Sequence, residues 1–258
     1  MNPRLLTVAL ALAAAPLAAQ AGRFPPDSLI NVKVIPKNTP PIQVVGMMRN
    51  FAGALGVRCQ FCHVGQEGMP LAQFDFAKDE KRTKLVARQM MRMVEEINRR
   101  IDTLPHDHEH TGSAAPAAPS PPLHVTCATC HRGISRPVPL EQVMQETAQT
   151  AGADSASRAY RALRERYFGR AAYDFGEPTL NVAAFRLGRA GKFDEAFALL
   201  KLNEEQFPTS SNLAVFRGNI TLMKGDTAGA IAAFREAVRR DSTNGEAQNR
   251  LRQLTTRP

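Results

Sequence analysis

Cys59-Gln60-Phe61-Cys62-His63 and Cys127-Ala128-Thr129-Cys130-His131 are two copies of one pattern, C-x-x-C-H, and together they use all four cysteines of the 258-residue chain. C-x-x-C-H is the attachment motif of haem c. Two thiols three residues apart on a helical turn lie on one side of it, where they can add to the two vinyl groups of one porphyrin. The adjacent histidine then lies under the ring and offers an imidazole nitrogen to the iron. Three other uses of paired cysteines fit less well. A four-cysteine zinc site does not need a histidine after each pair. A dithiol redox motif wants one pair near a βαβ pattern, whereas these surroundings are helical and Pro-rich. Two structural disulfides do not predict the repetition. The expected cofactor is haem c, twice, with Cys59, Cys62, His63, Cys127, Cys130 and His131 as its binding residues.

A haem iron takes a ligand on each face, and the second one separates electron transfer from catalysis. Upstream of the first motif, Pro41 to Val57 reads as a helix with Val44, Met48, Phe51, Ala52 and Leu55 on one face. Gly56 suits the left-handed position that ends a helix, so the chain can reverse and bring Cys59 back beside it. Met48 is then placed to reach the ring face opposite His63, with Met47 as runner-up; a lone Met at helical spacing is otherwise core packing. A second helix spans about Asp79 to Ile101, with Val86, Met90, Met93, Val94, Ile97 and Ile101 as its expected buried stripe. Lys81, Arg88, Arg92, Glu95 and Arg99 are expected mostly outside. Met90 and Met93 are both candidates for the second iron, and spacing does not choose between them.

These residues resemble the cytochrome subunit of photosynthetic reaction centres, whose repeating unit is a Met-bearing helix, a tight turn and C-x-x-C-H. The matching text is Met48-Arg49, Leu55-Gly56-Val57-x-Cys59-x-Phe61-Cys62-His63, Ala87-Arg88-x-Met90-x-x-Met93-x-x-x-Ile97-Asn98 and Val125-Thr126-Cys127-x-Thr129-Cys130-His131-Arg132-Gly133. It runs from about Ile35 to Pro137. The resemblance implies His63 and His131 as proximal ligands, Met48 as the distal ligand of the first haem and Met90 as that of the second, with Met93 the alternate for Met90. It also has departures. The family carries four haems in two pairs, and only one pair is present here. The family's N-terminal lipid-attachment cysteine is missing. A His-, Ala- and Pro-rich insert occupies 105–122. Within it, His106, His108 and His110 alternate with acids, which reads as a solvated loop, although a metal- or pH-responsive cluster is imaginable. His124 is a further conceivable ligand.

The chain opens with a short positive head ending at Arg4, an Ala/Leu-rich run to Ala18 and the small-x-small Ala19-Gln20-Ala21. That order is a secretory signal over residues 1–21, too short to span a bilayer. Export places the mature protein in the periplasm, where the outer face of the inner membrane is within reach. The formal charge of +9 is interspersed with acids, and an exported chain excludes nucleic acid as partner.

After Pro139 the chemistry stops. Residues 141–176 read as a helical connector. Beyond it a period of thirty-four residues relates Gly191 to Gly225, Ala196 to Ala230 and Leu200 to Phe234. This resembles tetratricopeptide repeats, over 177–258, with flanking helices near Ala159–Phe168 and Glu246–Leu254 completing the array and its surface available to a protein partner. The expected architecture is therefore all-α: a di-haem cytochrome domain over 22–140, the connector, and the repeats. The expected function is electron transfer by two His/Met-ligated haems to a photosynthetic or respiratory membrane complex. The alternatives are a peroxidase-like di-haem enzyme with an open iron, and a scaffold acting through its repeats.

Overall fold

The structure, a computed structural model, describes residues 23–104 and 123–256. The expected signal (1–21) and the insert with His106, His108 and His110 lie outside the described residues. Among the described residues the fold is all-α, as expected, with one isolated bridge between Val64 and Asp75. The helices are α1 (Pro41–Leu55), α2 (Arg82–Ile101), α3 (Cys127–His131), α4 (Leu140–Tyr167), α5 (Glu177–Arg189), α6 (Phe193–Gln206), α7 (Ser211–Met223), α8 (Thr227–Arg240) and α9 (Gly245–Thr255). Single 3-10 turns cover Cys59–Phe61 and Leu71–Gln73.

The chain divides into two compact units. One runs to Gly53 and from Val57 to Thr126, and the other holds Ala54–Gly56 and everything from Cys127. In the first unit, α1 begins at a Pro, which suits a position whose N–H has no helical partner. It ends at Gly56, whose φ of 66° is the left-handed conformation the sequence required of it. Arg99 and Arg100 close α2, where cations complement the helix dipole.

In the second unit, α5, α7 and α9 start thirty-four residues apart, at 177, 211 and 245, and α6 and α8 keep the same interval at 193 and 227. Ser210, Asp226 and Asn244 cap α7, α8 and α9 by accepting from Leu213 N, Gly229 N and Ala247 N. Ala184, Ala196 and Ala230 are fully buried. A Cβ at Gly218 would lie 2.7 Å from the buried Phe234 ring, so only glycine lets α7 and α8 approach this closely. The second half of α4 joins the array through Ala156 and Tyr160, beyond a kink at Gly152.

Burial is unevenly shared. Both apolar clusters belong to the second unit, whereas Ile35 and Val44 are the only buried apolar side chains among the described residues of the first. What orders the first unit is largely polar.

Candidate haem sites

Arg58 is extended, and the chain then winds into the turn Cys59–Phe61, with the N–H groups of Cys62 and His63 both donating to the Cys59 carbonyl at 3.2 and 3.0 Å. Three-residue separation on such a turn sets both thiols to one side. The start of α2 holds this turn from behind: Lys81 Nζ donates to the Gln60 carbonyl and Thr83 Oγ1 to that of Phe61. One turn further, the buried Lys84 ammonium donates to the carbonyls of Phe76, Ala77 and Lys78 at 2.9, 3.0 and 2.7 Å and pairs with Asp79 at 2.9 Å. Arg88 reaches the other Asp79 oxygen at 2.8 Å and the Asn31 carbonyl at 3.0 Å. Asn31 in turn donates to the Ala77 carbonyl at 2.5 Å. These cations hold the Asp79 carboxyl far below the ordinary carboxylate range.

The loop fixed in this way carries Phe76, whose ring packs edge-on against His63 with centroids 4.9 Å apart. Phe74 stacks on Phe76 at 5.6 Å. Burial pushes the His63 pKa down and Lys84 adds to the shift, which favours the neutral imidazole, the form that ligates a metal. His63 Nδ1 is buried without a hydrogen-bond partner. The Phe76 carbonyl, which would favour the charged ring, is engaged by Lys84. Beside Cys59 an open cleft of about 360 Å³ is bordered by Arg49, Arg58, Met69, Leu71 and Phe74.

The second motif is built differently. Asn98, near the end of α2, clamps Val125 from both sides: its Nδ2 donates to the Val125 carbonyl at 2.9 Å and its Oδ1 accepts from Val125 N at 2.8 Å. This fixes the chain two residues before Cys127. The whole motif Cys127–His131 then forms α3. Arg132 and Gly133 follow with φ of 50° and 87°, turning the chain back so that the buried Ile134 carbonyl meets His131 Nδ1 at 2.9 Å. A carbonyl only accepts, so Nδ1 carries the proton and Nε2 keeps its lone pair free. Gly133 N donates to the Ala54 carbonyl at 2.8 Å, and a Cβ on Gly56 would fall 2.0 Å from the Gly133 oxygen.

All four cysteines are free thiols, with burial raising the pKa values of Cys62 and Cys127, and no cluster of metal-ligating side chains occurs among the described residues. The methionines correct one expectation. The stripe on α2 is not buried: Val86, Met90 and Met93 are 44, 37 and 46% exposed, and the buried residue of that helix is Lys84. Arg88, expected outside, is largely covered. The physical reason is that α2 packs on the 75–79 loop through its cations, and among the described residues the methionine face is the more exposed one. Met47 is exposed and Met48 half-buried on α1. Free thiols on one side of a turn, a neutral or tautomer-fixed imidazole beside each, and thioether-bearing faces on α1 and α2 fit the donor set and the apolar surface that haem c requires.

The description that the chain matches is that of the photosynthetic reaction centre cytochrome c subunit, over residues 31–147 and, in an overlapping alignment, 67–173. The two together span more than half the chain. It belongs to the photosynthetic reaction centre cytochrome c subunit family. No curated protein matches it. Membership gives the chain a cytochrome's role, electron transfer by haem, on the periplasmic side. No helix among the described residues is long and apolar enough to cross a membrane. The family match reaches beyond Pro137 through α4 and stops before α5, so the repeats lie outside it. Asn98, Lys84, Arg88 and Asp79 were given no role by the sequence. Asn98 stood in the family pattern, but only the fold shows that it holds the approach to Cys127.

Proposed function

We propose that this member of the reaction centre cytochrome family is a two-haem electron carrier. One haem c is joined by thioethers to Cys59 and Cys62 with His63 as proximal ligand. The other is joined to Cys127 and Cys130 with His131. Met48 is the distal ligand of the first and Met90 that of the second, with Met93 as the alternate. The observation that carries this reading is that both motifs, different in sequence surroundings and in local support, are wound into helical turns with free thiols and a histidine ready to ligate.

A bound haem supplies one-electron redox chemistry at its iron. The chain supplies the rest. Cys59, Cys62, Cys127 and Cys130 would hold the porphyrins by thioethers, each thiol adding across a vinyl group with its proton going to the neighbouring carbon, so that attachment would need no leaving group. The Ile134 carbonyl fixes the His131 tautomer and ring direction. Phe76 braces His63 from the side. Met48 and Met90 would supply a thioether to each iron, and an iron held by both a histidine and a methionine would carry electrons with no open position for peroxide. The protein's redox partner is a membrane complex, a reaction centre or a respiratory one, met in the periplasm. The thirty-four-residue helical repeats are tetratricopeptide-like, and we assign them the capture of a protein partner.

Intact mass of the exported, matured protein, with a reduced-minus-oxidised spectrum, tests the haem count. Two haems added to the mass are expected; a colourless chain of unmodified mass overturns the reading. Met48→Ala and Met90→Ala, made separately, should each abolish the methionine signature of one haem. If Met90→Ala leaves both intact and Met93→Ala does not, Met93 is the ligand.

A further inference from the structure

The thirty-four-residue period decides which residues of the repeat helices share a face. Val182, Phe185 and Arg189 lie at i, i+3 and i+7 on α5, along one side of that helix. Its other side, with Leu180, Ala184 and Leu187, is buried in the core. One period on, Phe216, Asn219 and Met223 hold the same positions on α7, and Arg250 and Gln253 continue them on α9. The three helices meet along this face: Phe185 packs edge-on against Phe216 with centroids 6.0 Å apart, and Asn219 Nδ2 donates to Glu246 at 3.2 Å. Val182, Phe185 and Phe216 are half-buried, and Met223 is 39% exposed. Charge is sorted between the two sets of helices. Asp194, Glu195, Glu204 and Glu205 lie on α6 and Glu236 on α8, whereas α7 has no acid and α5 and α9 have one each, Glu177 and Glu246, in the first turn. Both of these are already engaged: Glu177 accepts from Asn181 Nδ2 and Ser210 Oγ at 3.1 and 2.6 Å, and Glu246 accepts from Asn219. Arg189 and Arg250 form no ion pair among the described residues. The face is apolar at its middle and cationic at its edges, with no carboxylate left to answer the cations.

We propose that this face docks an acidic segment of a partner protein, laid across α5, α7 and α9, with one large apolar side chain on the Phe185–Phe216 pair and Met223 and with carboxylates at Arg189 and Arg250. The proposal rests on the assignment of the repeats to partner capture and adds the chemistry of the partner. Aromatic rings, methionine and arginine are the side chains that anchor protein interfaces, and here all three share one surface. Neighbouring helices pack about 10 Å apart, so the face from α5 to α9 is about 20 Å wide, the span of about six extended residues. A carboxylate on an arginine that water still reaches adds little affinity, so the cations choose the partner and the aromatic pair holds it.

The experiment is fluorescence anisotropy of labelled synthetic peptides of about eight residues, enough to cross the face, titrated with the full-length, matured protein. The first peptide places glutamates around a central phenylalanine; the others replace the glutamates with lysine, the glutamates with glutamine, or the phenylalanine with serine. The first should bind, more weakly as salt rises, and the lysine peptide should not. Arg189→Glu combined with Arg250→Glu should weaken binding of the first peptide by about tenfold or more, as should Phe185→Ser. Arg235→Glu, the same reversal at an exposed position of α8, should leave it unchanged. Circular dichroism melts check that each variant folds, and should Phe185→Ser fail to fold, the arginine pair still decides. Equal weakening by Arg235→Glu would overturn the choice of face, and adhesion to anionic vesicles in place of the peptide would overturn the class of partner. Tighter binding of the lysine or glutamine peptide, lost in Phe185→Ser, would overturn the acidic partner while leaving capture by the repeats standing. If no peptide of any charge binds, the proposal fails and this face is not where the repeats capture a partner.

Discussion

Replacing Gly56 with Ala should cost far more than its small size suggests, and the surplus is measurable against an internal control. Gly56 has φ of 66° and Gly191, in the first repeat hairpin, has φ of 74°. An L-residue in the left-handed region costs about 1–2 kcal/mol, so both substitutions carry that penalty. Gly191 has nothing within 4 Å of an added Cβ, and Gly191→Ala should stop there. At Gly56 the added Cβ would stand 2.0 Å from the Gly133 carbonyl oxygen and 2.9 Å from its carbon. Ordinary contact needs about 3.5 Å. The backbone at Gly133 must therefore retreat, which breaks its 2.8 Å hydrogen bond to the Ala54 carbonyl, about 1 kcal/mol more, beyond the overlap itself. Gly56→Ala should thus destabilise by about 3 kcal/mol or more, and Gly191→Ala by about 1. Denaturant titrations followed by helix circular dichroism give the difference. The same retreat displaces Ile134 and so the acceptor of His131 Nδ1, and absorption of the second haem should change in Gly56→Ala and not in Gly191→Ala. Equal losses in the two variants would refute the close approach as the reason for glycine at 56.

Asn98→Leu removes both hydrogen bonds to Val125 and should cost about 2 kcal/mol while lowering occupancy of the second haem attachment, read by intact mass; unchanged stability and full occupancy would show the clamp to be idle. Glu204 provides a pH prediction: burial would raise its pKa, but Arg217 and Arg240 together hold it below the ordinary value. A carboxyl depressed in the folded state contributes stability that is present above its unfolded pKa and lost as pH falls through the folded one. Glu204→Gln should therefore flatten the loss of repeat stability from about pH 5 downward, by about 1 kcal/mol for a group this exposed, in thermal melts across that range; an unchanged slope would refute it.

The repeat helices and the haem motifs were legible because each leaves a periodic or fixed-spacing mark. Glycine and alanine at thirty-four-residue intervals are close-contact positions, and Ala196, Ala230 and Gly218 all face packed neighbours. Gly56 was legible for the same reason, since a left-handed turn admits few residues. The burial of α2 runs against its pattern. A helical period in apolar residues predicts a core face, and the stripe of Val86, Met90 and Met93 does repeat at helical spacing. Yet the side that packs on protein is the one bearing Lys84 and Arg88, whose partners are backbone carbonyls of Phe76, Ala77, Lys78 and Asn31. Carbonyls have no letter in a sequence, so a lysine that binds three of them is indistinguishable from a solvated one. Asn98 was hidden likewise, its two bonds both going to the backbone of Val125.

That difference sets opposite rules for the two units. In the repeats, apolar contact does the holding: Leu199, Leu213 and Phe234 are wholly covered, and the polar side chains mostly cap helices or bridge them. In the first unit, two buried apolar residues cannot offset the entropy of ordering the described segments, about 1–2 kcal/mol for each residue fixed. Small units with so little core rely on a cofactor, metal or cross-link for the remainder. The polar staples at Lys84, Asp79, Arg88 and Asn98 do not replace that core, because a hydrogen bond yields only about 1 kcal/mol net. They choose one geometry from many, and the chosen one sets the first thiol pair on a helical turn, gives His63 its surroundings and holds the approach to Cys127. Stability of the first unit is then expected to rise on haem attachment, while its geometry comes from the cations that grip the backbone. The side chains most sensitive to substitution there should be charged ones, the reverse of the repeats.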